Sequence, residues 1–138
     1  MKRASFLMIA MLAASALASA AELKVIANAS VTTTSVSADE LKSVYLQSSS
    51  SLSDGSHVQP VLAKKGAAHE AFLKDYLGKS DSALQTYYRS LVFSGKGSMP
   101  KEFGSDAEIV AYVARTKGAI GYVGGSADAA GVKVLAVK

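Results

Sequence analysis

The spacing of apolar residues along the chain predicts short strands that alternate with amphipathic helices. Residues 23–27, Leu-Lys-Val-Ile-Ala, form the first predicted strand, which ends at the polar turn-formers of Asn28-Ala29-Ser30. A helix is predicted to begin after Ser37, because Ser37 and Glu40 have the spacing of a capping box. Its inward face is then set by apolar residues at helical intervals, namely Leu41, Val44 and Tyr45.

The centre of the chain continues this alternation. A serine-rich patch, residues 48–53, and the turn-forming Asp54-Gly55 pair lead into a second predicted strand at residues 58–62. We expect this strand to be short, because Pro60 has no N–H to donate to a ladder. The next helix opens at Gly66 and is expected to end at Gly78, where glycine tolerates the left-handed conformation. Its apolar face consists of Phe72, Leu73, Tyr76 and Leu77.

The rest of the chain, from residue 80 onward, contains two more predicted helices and two closing strands. One helix starts near Ser80 or Asp81, turns Leu84, Tyr88 and Leu91 inward, and ends before a flexible loop at residues 94–98. Another begins at Ser105, with Glu108 completing a second capping box, and ends at Gly118. The closing strands are residues 119–123 and 132–137. The whole pattern predicts an α/β domain with a central mixed sheet of about four strands flanked by about four helices.

The N-terminal residues have the three regions of a signal peptide. Lys2 and Arg3 are followed by an apolar stretch, residues 6–17, and by the small residues Ala18-Ser19-Ala20. The apolar stretch is shorter than the roughly 20 residues that a membrane span needs. We therefore expect residues 1–20 to be a cleaved signal peptide and residues 21–138 to form one exported domain.

Composition limits the classes of partner and of covalent support. Fifteen basic and 11 acidic residues give a formal charge of +4, and removing Lys2 and Arg3 with a leader lowers it to +2. So small a surplus does not suit a nucleic-acid-binding surface. The chain contains no cysteine, which excludes disulfides and thiolate metal sites. Burial of apolar side chains must therefore supply the stability.

No catalytic motif is complete, so an enzyme is not expected. A Walker A loop ending at Gly95-Lys96 needs a glycine where Ser90 stands, and residues 124–128 lack the final glycine of a nucleophile elbow. His57 and His69 are interpreted as ordinary surface or capping histidines, because neither has a ligand at metal-site spacing. The sequence therefore predicts neither a cofactor nor a metal.

One junction between a strand and a helix has the chemistry of an anion site. Lys64 and Lys65 supply positive charge, and Gly66-Ala67-Ala68-His69 opens a helix whose first N–H groups are covered only by small side chains. Ser30 and Thr32, after the first strand, are candidate hydroxyl donors to the same rim. The alternative is that both lysines are solvated turn residues, that Gly66 only permits the bend, and that Ser30 and Thr32 belong to a solvated loop.

Five segments of the chain have a pattern that is familiar from a known family. They are Val25-Ile26-Ala27-Asn28, Ser37-Ala38-Asp39-Glu40-Leu41, Ser53-Asp54-Gly55, Leu91-Val92-Phe93-Ser94-Gly95 and Gly118-Ala119-Ile120-Gly121-Tyr122-Val123. With these segments the sequence resembles the periplasmic phosphate-binding proteins of ABC transporters, and more specifically a short group related to them that has a single lobe. The resemblance implies one lobe of the type II periplasmic-binding-protein fold, in which hinge closure of two lobes normally clamps the ligand.

The chain departs from that family in the phosphate loop. The family has an arginine followed by Ser-x-Gly-Ser-Gly-Thr, whereas residues 63–69 here are Ala-Lys-Lys-Gly-Ala-Ala-His, which keep only Gly66. The arginine fork and the hydroxyl donors are absent, so the family's many-donor grip on phosphate cannot be formed in the same way. Charge from Lys64, Lys65 and His69 is expected to give a looser and more salt-sensitive site.

The resemblance implies a periplasmic solute-binding-like protein, related to the substrate-binding component of phosphate transporters, that binds phosphate or another oxyanion weakly. The alternative is an envelope interaction or accessory protein that retains the lobe without binding a small ligand. Expected protein partners are the membrane subunits of an ABC transporter or another envelope protein. A second copy of the chain is also considered, because a homodimer would rebuild a two-lobed cleft.

Overall fold

A computed structural model describes residues 23–138, so the signal peptide predicted for residues 1–20 lies outside the described residues. The strands are β1 (Leu23–Ala27), β2 (Ser35–Val36), β3 (Gln59–Pro60), β4 (Leu62–Ala63), β5 (Glu102–Phe103), β6 (Ala119–Gly124) and β7 (Lys133–Val137). The helices are α1 (Ala38–Tyr45), α2 (Ala67–Phe72), α3 (Asp81–Phe93) and α4 (Asp106–Arg115). A wider turn with π-helical geometry, Leu73–Leu77, extends α2.

The main sheet has five strands in the order β2-β7-β1-β6-β3. At its centre, β1 pairs antiparallel with both β6 and β7, whereas the outer strands β2 and β3 pair parallel with β7 and β6. A second sheet contains β4 and β5 in parallel. The predicted mixed α/β architecture with four flanking helices is therefore confirmed for the described residues, with more strands than the sequence pattern indicated.

Strand β6 is the most deeply buried element, because its residues from Ala119 to Val123 are all buried. At Gly121, an added Cβ would lie 3.0 Å from Ile109 Cγ2 and 3.1 Å from Val61 Cγ2. The absence of a side chain there lets α4 pack close against the sheet. Phe72 of α2 stacks on Tyr122 of β6 with ring centroids 4.0 Å apart, which fixes α2 on the sheet.

The helix boundaries follow the capping residues that the sequence contains. Ser37 and Glu40 form a complete capping box at the start of α1. Ser80 accepts a hydrogen bond from Ala83 N–H at the start of α3, and Ser105 accepts one from Glu108 N–H at the start of α4. The Glu108 carboxylate contacts the Ser105 hydroxyl, so this cap is only half of the expected box. Gly78 is left-handed, with φ of 65°, as predicted.

The predicted strand at residues 58–62 is divided between the two sheets. Val61 N–H still donates to Ile120 of the main sheet, whereas Leu62 N–H donates to Lys101 of the second sheet. Pro60 stands at the end of β3, where its missing N–H removes no ladder bond. The sequence pattern did not predict β2 or β5, because two residues are too few to show an alternation.

Asn28 connects the end of β1 to the end of α4. Its Nδ2 donates to the carbonyl oxygens of Val113 at 2.8 Å and Ala114 at 3.1 Å, and its Oδ1 accepts from Ser30 N–H at 2.9 Å. The side chain is buried, so these bonds replace water at the last turn of the helix. The sequence indicated a turn here but not this long-range cap.

Candidate anion-binding site

The candidate site lies where β4 ends and α2 begins. Lys64 N–H donates to Phe103 of β5 at 2.9 Å, so the backbone stays paired up to the first lysine. Gly66 then takes φ of 112°, a conformation that favours glycine, and precedes α2 without a side-chain cap. Among residues 23–138, no group accepts a hydrogen bond from Ala67 N–H or Ala68 N–H. The first two amides of α2 therefore have no hydrogen-bond partner in the described part of the chain.

An open depression of about 590 Å³ surrounds this junction. Its lining contains four lysines and two carboxylates, so it carries a surplus of positive charge. We call it the basic depression; its lining residues are Lys64, Lys65, Gly66, His69, Glu70, Leu73, Lys74, Lys79, Ser80 and Asp81.

The structure brings four of the predicted site residues, Lys64, Lys65, Gly66 and His69, into this lining, and Ala67 and Ala68 follow in the adjoining first turn. Sequence reasoning missed Lys74 and Lys79. Lys74 stands at helical spacing from Glu70, so the face of the predicted helix could have indicated it. Lys79 comes into the lining only because the chain reverses at Gly78.

His69 is not the surface or capping histidine that the sequence suggested. It is only 3% exposed, with Nδ1 2.5 Å from the Tyr122 hydroxyl and Nε2 2.8 Å from Asp81 Oδ1. The Tyr122 oxygen already accepts from Ala63 N–H at 3.1 Å, so its single hydrogen is free to donate to Nδ1. When Nδ1 accepts this hydrogen bond, the ring proton lies on Nε2, which donates to Asp81. Both ring nitrogens are thus occupied by the protein, and His69 acts beneath the depression as a positioning group.

Tyr122 remains a neutral donor in this chain of hydrogen bonds. Burial raises the pKa of its hydroxyl well above the usual range, because the phenolate would lose its hydration. The same hydroxyl accepts from Ala63, the residue immediately before Lys64. The contact therefore ties the base of the loop that carries both lysines to the buried strand β6.

The expectation that Ser30 and Thr32 share this rim is wrong. Ala27 pairs with Ile120 at the start of β6, whereas Ala63 contacts Tyr122 nearer its end, so the two loops leave opposite ends of the sheet. The Ser30 hydroxyl accepts from Gly118 N–H at 3.0 Å. The Thr32 hydroxyl donates to Asp54 at 2.6 Å. Strand direction separates these hydroxyls from the lysines, and a linear sequence does not show it.

Asp54 is the centre of a turn that Thr32 completes. It accepts from the Thr32 hydroxyl and from Ser56 N–H, and these hydrogen bonds, that of Thr32 first, lower the pKa of Asp54 to about 2. Thr32 therefore joins the loop that follows β1 to the turn at Asp54.

Metal-ligating side chains do not gather at the basic depression. Across residues 23–138, no three histidine, cysteine or acidic side chains lie close enough together to hold a metal ion. Within the same span, no helix has the length and apolar character needed to cross a bilayer.

The fold matches solved proteins of phosphate transport. An ABC-type phosphate transport receptor from Vibrio cholerae superposes with a TM-score of 0.63 at 14% identity, over 84% of this chain and 46% of that chain. PstS from Borrelia burgdorferi gives a TM-score of 0.63 at 11% identity, over 85% of this chain and 47% of that chain. A protein from Clostridium perfringens solved with bound phosphate gives 0.59 at 18% identity, over 84% and 44% of the two chains.

This chain has the fold of one lobe of a phosphate ABC transporter substrate-binding protein. The resemblance seen in the sequence is confirmed at the level of fold. The lobe spans about half of the length of the solved structures it matches. No protein-family model and no curated protein matches its sequence.

Proposed function

We propose that the lobe is a periplasmic solute-binding-like protein that holds phosphate or a similar oxyanion weakly in the basic depression. The observation that carries this proposal is the coincidence of four lysines with the uncapped start of α2 in one depression. Ammonium groups attract an oxyanion, and free backbone amides hydrogen-bond to it. The similarity to proteins of phosphate transport supports phosphate as the first anion to test.

The lining also sets an upper limit on how tightly one lobe binds. The depression is open to solvent and contains Glu70 and Asp81 beside its lysines. Solvent and salt screen exposed charges, and like charge repels the ligand. We therefore expect weak binding that becomes weaker as ionic strength rises. Transfer of the anion to the membrane subunits of an ABC transporter belongs to the same proposal.

The direct test is calorimetry of the purified protein with phosphate and sulfate at low salt. Each of Lys64→Ala and Lys65→Ala is expected to weaken phosphate binding by roughly 3- to 5-fold, the effect of one exposed charge pair. Lys42→Ala, an exposed lysine on α1, is the matched control and should leave the affinity unchanged. Absence of heat with both anions, or equal affinity of the wild type and both depression variants, would overturn the proposal.

A second candidate is an envelope interaction protein, and one surface feature favours it. Among the described residues, three of the four exposed large apolar side chains lie between positions 92 and 99, and Phe93 is 96% exposed. Exposed aromatic side chains are frequent anchors in protein interfaces. Capture of a stoichiometric partner from envelope extract, lost in Phe93→Ser and insensitive to phosphate, would support this reading. Capture that persists in Phe93→Ser would contradict it.

A further inference from the structure

A second cavity, about 480 Å³ in volume, lies at the opposite end of the β4–β5 pair from the basic depression. At the end of the pair where this cavity lies, Leu62 N–H donates to the Lys101 carbonyl. At the end where the basic depression lies, Lys64 N–H donates to the Phe103 carbonyl. The cavity is less open than the basic depression and falls within the usual size range of small-molecule pockets. Its lining includes Pro60, Lys96, Met99, Lys101 and Tyr112.

The charge of this cavity is entirely of one sign. Lys96 and Lys101 line it, and no aspartate or glutamate does. The one ion pair among residues 23–138 joins His69 and Asp81, so neither lysine has a carboxylate within 4.0 Å in that part of the chain. The basic depression, by contrast, contains two carboxylates of its own. A negative ligand in the second cavity would therefore meet two uncompensated ammonium groups.

The wall that carries Lys96 is held in place by Gln47. The Gln47 backbone is left-handed, with φ of 62°, and its side-chain amide pairs with the backbone of Ser98 in both directions, at 2.6 Å and 3.1 Å. An added Cβ at Gly97 would lie 2.4 Å from Gln47 Oε1, so a glycine is required for this contact. The loop is thus preorganised, and that lowers the entropy cost of binding.

Polar donors without protein partners accompany the lysines. The hydroxyls of Ser50 and Ser98 line the cavity and make no hydrogen bond to another residue of the described span. The cavity also has an apolar part, formed by the partly exposed side chains of Pro60, Met99 and Tyr112. Charge and hydroxyls beside an apolar surface suit a ligand with one anionic group and one apolar body.

We propose that the second cavity binds a small organic anion, with its charged group held by Lys96 and Lys101 and its apolar body against Pro60, Met99 and Tyr112. The ligand differs from the inorganic oxyanion of the basic depression because it needs an apolar part. The site shares no lining residue with the basic depression, so it stands independently of the proposed function.

The test uses phenyl phosphate as a probe and amide chemical shifts of the isotope-labelled, purified protein as the readout. We expect shifts to concentrate at residues 47–50, 57–61 and 96–101 and to saturate with added probe. Benzyl alcohol, a neutral probe with a similar ring, is expected to bind at least 10-fold more weakly, because it brings no charge. Shifts confined to residues 64–81, or equal binding of both probes, would overturn the proposal.

Substitution of Lys96 and Lys101 tests whether these two lysines hold the charged group of the ligand. Lys96→Ala combined with Lys101→Ala is expected to weaken binding of phenyl phosphate by about 10-fold, which corresponds to roughly threefold for each exposed charge. Lys42→Ala should leave it unchanged. Because both replaced lysines are exposed, the fold should persist, and the amide spectrum checks this. Should the double variant misfold, Met99→Glu supplies a second measurement, because a carboxylate at the cavity should abolish binding.

The two proposals can fail separately. Lys64→Ala combined with Lys65→Ala should leave phenyl phosphate binding at residues 96–101 unchanged, even if inorganic phosphate binds nowhere. If that variant abolishes the shifts at residues 96–101, or if the wild type and the Lys96/Lys101 variant bind phenyl phosphate equally, the second site is rejected.

Discussion

The Tyr122 hydroxyl lies 2.5 Å from His69 Nδ1, and this contact joins the most buried strand of the sheet to the base of the basic depression. It continues to Asp81 on one side and to Ala63 N–H on the other. This series of hydrogen bonds fixes the positions of α2, α3 and the loop that contains Lys64 and Lys65 relative to one another.

Tyr122→Phe is expected to destabilise the fold by about 1–3 kcal/mol. The substitution leaves the ring stacked on Phe72 but removes the partner of two buried polar groups, Ala63 N–H and His69 Nδ1. Urea unfolding measures the change. Tyr112→Phe is the matched control, because the Tyr112 hydroxyl makes no hydrogen bond to another described residue; it should alter stability by less than about 0.5 kcal/mol. Equal stability of the two variants would contradict the assigned hydrogen bonds.

Asn28→Asp is expected to destabilise the protein by about 2–3 kcal/mol at neutral pH. The carboxylate is close in shape to the amide but turns an acceptor toward the carbonyl oxygens of Val113 and Ala114, which the amide satisfied. Protonation restores one donor, so the deficit relative to the wild type should shrink as the pH falls. Thermal unfolding at neutral and acidic pH checks this. A deficit that stays constant with pH would show that the lost contacts are not those of Nδ2.

The free energy of unfolding should fall on acidification partly through Glu40. Hydrogen bonds from Ser37 N–H and then from Ser53 lower the pKa of Glu40 below its ordinary 4.5. The unfolded chain therefore takes up the proton at higher pH, so this stabilisation is complete above pH 4.5 and is lost as the pH falls through the folded pKa.

The contribution of Glu40 is expected to be under about 1 kcal/mol, because the side chain is only partly buried and solvent screens its hydrogen bonds. Glu40→Gln should show a shallower loss of stability below pH 4.5 than the wild type. Parallel acid titrations of the wild type and Glu40→Gln would refute the assignment.

Gly118→Ala is expected to cost more stability than Gly55→Ala, by about 1–2 kcal/mol. Both glycines are left-handed, with φ of 79° and 89°, so both substitutions carry a similar backbone strain. Only at Gly118 would the new Cβ meet a backbone atom, His57 O, at 2.8 Å; at Gly55 it would meet nothing within 4 Å. Chemical denaturation gives the free energy of unfolding of each variant, and the difference between the two values measures the cost of the close approach to His57 O. No difference would mean that the backbones at Gly118 and His57 can move apart freely.

Local chemistry made the helices predictable. Ser37 and Glu40, Ser80, and Gly78 set helix ends through contacts within a few residues, and each acts in the structure as its sequence position indicates. The positions of Lys64 and Lys65 next to the uncapped start of α2 were predictable for the same reason, because these groups all belong to six consecutive residues, 64–69. The same local reasoning failed for the strand at residues 58–62, where hydrogen bonds to Ile120 and Lys101 divide it between two sheets.

Residues close together in the sequence were enough to predict where each helix starts, the mixed α/β class and the place of the lysines at a strand-to-helix junction. They did not predict the end of α4, the burial of His69 against Tyr122, the place of Ser30 and Thr32 at the far end of the sheet, or the presence of Lys74 and Lys79 in the basic depression. These features depend on strand direction and on contacts between residues distant in sequence, and neither is encoded in local patterns of polarity.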